Sequence, residues 1–101
     1  MDIYTQIREY YAKKPIDELC NDLFKIKQMI TTRIEKNKGY ELFHLRMHYQ
    51  IISEEIRKRD IDERRNYYIG IELLCDLCDN EEVKKIFQSY LETLAAFVEF
   101  S

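Results

Sequence analysis

Only two glycines and one proline, Gly39, Gly70 and Pro15, interrupt this chain of 101 residues. A strand-rich domain needs a turn every 8–12 residues, and turns are built from Gly, Pro, Asn and Asp. Apolar residues recur instead at helical spacing from one end to the other, which predicts an all-α fold. Hydrophobic residues make up 46% and charged residues 35%, a balance that excludes both a disordered chain and an integral membrane protein. At 12.4 kDa the length suits a single helical domain over residues 1–101. Three cysteines, an odd number, argue against a secreted disulfide framework and for a reducing compartment. The opening Met1-Asp2-Ile3-Tyr4 lacks the basic and then apolar pattern of a secretory signal, so a cytoplasmic location is expected. Thirteen Ile, nine Lys and only three Ala suggest an A/T-rich genome, such as that of a low-GC bacterium or phage.

Five helices are predicted. Ile3, Ile7, Tyr10 and Tyr11 mark the first, over about 2–13, which ends at Pro15 because the residue before proline is pushed out of the helical region. Pro15 suits the first turn of the second helix, with Asp17 and Glu18 at its positive end. Ile16, Leu19, Cys20, Leu23, Phe24, Ile30 and Ile34 form its apolar stripe to about Asn37, with Gly39 as terminator. The third helix, from about Tyr40, has one face of Leu42, Leu45, Tyr49, Ile52 and Ile56 and another of Phe43, Met47 and Ile51. A helix apolar on two faces is central to its bundle or half-buried in a partner.

The fourth helix, about 61–78, places Tyr67, Ile71, Leu74 and Cys78 on one side, with Ile69 and Leu73 off it. Between Ile56 and Tyr67 no Gly or Pro occurs. A break capped by Asp60 with Glu63 is favoured over one rod, because a rod of nearly 40 residues spans roughly 60 Å and could not bury itself. In the fifth helix Asp79 is the expected cap with Glu82 completing the box, ahead of a stripe of Val83, Ile86, Phe87, Tyr90, Leu91, Leu94 and Val98. The expected architecture is a compact bundle of four to five helices, with helix three central.

Catalytic and metal chemistry find little support. Cys75-Asp76-Leu77-Cys78 is a CxxC, but it falls at a helix end, where the dipole opposes thiolate formation. His44 and His48 share one helical face, and with Cys75 and Cys78 they could furnish four zinc ligands. However, 26 residues separate His48 from Cys75, unlike the tight spacing of compact zinc modules. Ordinary flank histidines and core cysteines are the favoured reading, and no cofactor is called for. Two isolated glycines cannot form a phosphate-binding loop, and neither histidine has an evident nucleophile partner, so the chain does not read as an enzyme.

The tract Arg57, Lys58, Arg59, Arg64 and Arg65 is the candidate for nucleic-acid contact. Asp60, Asp62 and Glu63 among those residues would repel a phosphate backbone, and the formal charge of −3 does not favour such a partner.

Tyr67 to Ile71, the acidic turn at Asp79 to Glu82, Val83 and Phe87 together resemble one helical hairpin of the tetratricopeptide type. The spacing from Gly70 to Val83 is one residue longer than that pattern, and the first 60 residues contain no matching repeat. The likeness implies a helical hairpin and does not identify a family member.

Eight tyrosines are many for this length, and tyrosine is enriched at interaction surfaces. Neighbours such as Tyr10-Tyr11 and Tyr67-Tyr68 differ by 100° around a helix, so one of each pair faces the domain edge. The sequence therefore reads as a small non-enzymatic interaction module. It would be a regulator or inhibitor that binds another protein, or a second copy of itself as a homodimer. The expected contact residues are Phe43, Met47 and Ile51, with Tyr67, Tyr68 and Ile69 as a second group. A nucleic-acid-associated regulator and a zinc-stabilised module are the alternatives.

Overall fold

The computed structural model describes residues 2–36 and 39–98, with Tyr40 by its backbone alone. Among the described residues every regular element is helical: α1 (Ile3–Ala12), α2 (Ile16–Glu35), α3 (Gly39–Lys58), α4 (Ile61–Leu77) and α5 (Glu81–Leu94), followed by one 3₁₀ turn, Ala95–Phe97. The chain divides into two units, residues 1–58 and 59–101.

In the first unit Asp2 caps α1, its carboxylate accepting from the Thr5 amide at 2.8 Å. That bond holds the Asp2 carboxyl below its ordinary pKa. Pro15 stands at the N-cap of α2 in extended conformation, where its missing N–H costs nothing, and Asp17 and Glu18 occupy the first turn. The break expected at proline is therefore present. α2 ends at Glu35, and the expected extension to Asn37 lies outside the described residues. Gly39 opens α3 and is not a left-handed terminator of α2.

α3 packs against both α1 and α2, so helix three is the central helix of this unit. Tyr11, Leu19, Cys20, Leu23, Ile51, Ile52 and Ile56 are buried. Ile51, Ile52 and Ser53 are buried consecutively, a run that only a helix covered on more than one side can show. Ser53 meets the cost of burial by donating to the Tyr49 carbonyl at 2.8 Å. The far end of the α2 stripe leaves the core: Ile34 is 62% exposed.

The second unit is an antiparallel hairpin of α4 and α5 closed by the 3₁₀ turn. Lys58 ends α3 and Ile61 begins α4, so the chain breaks where expected. Asp60 occupies the N-cap position, but its side chain makes no capping bond. The cap of α5 is Asn80, not Asp79: its Oδ1 accepts from the Glu82 and Val83 amides at 3.0 and 3.1 Å. The buried residues are Ile71, Cys75, Tyr90, Thr93, Leu94, Phe97 and Val98, and Thr93 donates to the Ser89 carbonyl at 3.1 Å. No described helix is long and apolar enough to cross a membrane.

Candidate partner-binding face

The inward side of α4 is fixed by four contacts. The Tyr67 and Tyr90 hydroxyls meet at 2.8 Å, with their rings edge-on at 6.5 Å. The Cys75 thiol lies 3.9 Å from the Lys84 carbonyl oxygen. An Arg64 Nη donates to the Phe97 carbonyl at 2.9 Å. Ile71 is buried on the same side. Arg64, Tyr67, Ile71 and Cys75 recur at i, i+3, i+7 and i+11 and make one stripe.

Ile69, Leu73 and Leu77 follow i, i+4 and i+8 on the opposite side, and they are 52%, 58% and 70% exposed. Leu74, expected beside Ile71 in the core, is instead 52% exposed and widens this outer stripe. Gly70 falls between Leu77 and Leu74 on the helical circumference. A Cβ built on it meets nothing within 4 Å, so the face is flat and open at its N-terminal end. Beyond the loop, Val83 and Ile86 in the first turns of α5 are also exposed, although the stripe they begin is buried further on at Tyr90 and Leu94. Six large apolar side chains thus stand in solvent on one short hairpin. Lone exposed apolar residues are ordinary; four on one arc of a single helix, Ile69, Leu73, Leu74 and Leu77, are the mark of an interaction surface.

Of the contact residues expected from sequence, Phe43 is 68% exposed and its ring stands edge-on to His44 at 5.5 Å. Met47 is half-buried. Ile51 is not a surface residue: it is 4% exposed, because its position one residue before Ile52 falls where α3 is covered on a second side. Tyr67 and Tyr68 are half-buried, Tyr67 against Tyr90, and Ile69 alone of the second group is fully on the outer face. Leu73, Leu74, Leu77, Val83 and Ile86 were not among the expected contacts. The signal for Leu73 and Leu77 was present in their four-residue spacing from Ile69.

The remaining candidates are placed separately. His48 Nδ1 is 2.8 Å from the Tyr11 hydroxyl, a bond between α3 and α1 in the first unit, and His44 is exposed. Cys75 and Cys78 are in the second unit, Cys75 buried and Cys78 half-buried over the Asn80 carbonyl at 3.5 Å. Among the described residues no group of three or more His, Cys, Asp or Glu could hold a metal ion. In the basic tract, Arg57 and Lys58 close α3, with Lys58 Nζ 3.8 Å from Glu55. Arg64 and Arg65 are half-buried on α4, Arg64 spending donors on the Phe97 carbonyl.

Burial and pairing shift three further groups in the first unit. Lys14 Nζ binds Asp22 at 2.7 Å and lies 4.6 Å from the centre of the Tyr10 ring. The Asp22 bond holds its ammonium well above the ordinary lysine pKa. Burial raises the Tyr11 phenol and pushes the Cys20 thiol up to about 12, so Cys20 is an inert core thiol. An open groove of about 550 Å³ beside Lys14 is bordered by Glu9, Tyr10, Lys13 and Glu18. Its rim mixes both signs of charge and selects no one class of ligand.

Comparison with known protein families, curated proteins and solved structures finds no match to this chain.

Proposed function

We propose that this protein is a small non-enzymatic interaction module, a regulator or inhibitor that binds another protein through the outer face of α4. The supporting observation is the row Ile69, Leu73 and Leu77 with Leu74 beside it, each between 52% and 70% exposed. A stripe at i, i+4 and i+8 is the shape against which an amphipathic helix packs, ridge into groove. The flat position at Gly70 lets a partner backbone come close. The aromatic contacts of Tyr67 and Tyr90 brace the stripe from behind.

A helical peptide library displayed on phage and selected against the full chain tests this reading. Enriched sequences carry apolar residues at i, i+3 or i+4, and i+7, and they lose binding to a Leu73→Gln, Leu77→Gln variant. Enriched peptides that bind the variant equally well, or no enrichment at all, contradict it.

A further inference from the structure

We infer that the occupant of this face is a cationic amphipathic helix of another protein, one whose apolar stripe is flanked by Lys and Arg. The inference rests on the docking reading above and adds the partner's chemistry to it. Between Ile61 and Ile86, all of them described, Asp62, Glu63, Glu72, Asp76, Asp79, Glu81 and Glu82 are exposed, and Lys85 is the one exposed cation. Their placement follows the helix: at 100° per residue Glu72 and Asp76 line the edge beside Ile69, and Asp62 and Glu63 stand at the N-terminal end of the stripe. Asp79, Glu81 and Glu82 ring the tip beside Leu77 and Val83. The cations within the same stretch are drawn inward. Arg64, Arg65 and Lys84 are half-buried, and Arg64 is committed to the Phe97 carbonyl.

An apolar centre with an acidic rim sets specificity through its rim. A second copy of this chain would bring two acidic rims together across the same face, and like charges so placed disfavour pairing. A helix with basic flanks matches both parts of the surface at once.

Two synthetic 18-residue helices with the same leucine stripe, one flanked by Lys and Arg and the other by Glu, are titrated into the full-length protein by fluorescence anisotropy. The cationic peptide binds about tenfold or more tightly than the anionic one at 50 mM NaCl, and its affinity falls severalfold at 500 mM as screening shortens the reach of the charges. Glu72→Gln with Asp76→Asn weakens the cationic peptide and leaves the anionic one no weaker, and Leu73→Gln with Leu77→Gln removes both. Circular dichroism confirms that each variant retains its helix content. If both peptides bind equally and both depend on Leu73 and Leu77, the docking face stands and the basic partner is overturned. If neither peptide binds, or binding ignores Leu73 and Leu77, the docking reading falls with it.

Discussion

Replacing Ile71 by Ala and replacing Leu73 and Leu77 by Gln are changes on opposite sides of one helix, and the structure assigns them very different costs. Ile71 is 8% exposed. Truncating a buried Ile to Ala loses transfer free energy and leaves a cavity, about 3 kcal/mol within a typical range of 2–5. A chain of this length is stable by about 5–15 kcal/mol, and each kcal/mol moves Tm by about 4–8 °C, so Ile71→Ala lowers Tm by about 12–24 °C. Leu73 and Leu77 are 58% and 70% exposed. Full burial of a Leu is worth about 1.5–3 kcal/mol, so the covered fractions of the two together contribute about 1–2 kcal/mol. Gln retains part of that contact through its stem and matches Leu in helix propensity. The double variant therefore costs less than about 2 kcal/mol. Urea titration followed by circular dichroism measures both. A double variant that loses 3 kcal/mol or more would mean that Leu73 and Leu77 are interior, and the case for an outward docking face would be refuted.

Gly70→Ala raises stability by about 0.5–1 kcal/mol, because an exposed mid-helix glycine costs that much and the added methyl meets nothing within 4 Å; a thermal melt that shows a loss contradicts the open space there. Asn80→Ala costs about 1 kcal/mol through the lost cap, whereas Asp79→Ala, one position earlier, changes the urea midpoint little. The pKa of Cys20 is raised to about 12 by burial, whereas an unfolded thiol titrates near 8.5. Between those values the folded state holds the extra proton, so the Cys20 contribution is complete below about pH 8.5 and is lost as pH rises toward 12. Stability measured by urea at pH 8, 9 and 10 falls along that series, and the decline is shallower in Cys20→Ala; equal slopes in the two proteins would contradict the assignment.

Local signals carried the helices well. Pro15 and the acidic pair Asp17 and Glu18 fixed the start of α2, and Asp60, read as a cap, located the break after Lys58. The capping pattern misled by one residue at α5, because Asp79 and Asn80 are both good caps and backbone geometry, not composition, chose Asn80. Periodicity alone could not separate the two sides of a broad helix. α3 and α4 both carry apolar residues around more than half their circumference. α3 packs against two neighbours and buries Ile51, whereas α4 leaves Leu73, Leu74 and Leu77 in solvent. Which apolar arc is covered depends on tertiary contacts that lie beyond a 3.6-residue repeat. The acidic rim was visible as composition, but its relation to the apolar row emerged only when Arg64, Arg65 and Lys84 proved half-buried.

Amide chemical shifts of the ¹⁵N-labelled full chain, recorded as the cationic amphipathic helix is added, read the docking face residue by residue. The account predicts that the largest changes fall on Ile69, Gly70, Leu73, Leu74 and Leu77 and spare Leu19, Leu23 and Ile52. Changes centred on α1 to α3, with the amides from Ile69 to Leu77 unmoved at saturation, would contradict it.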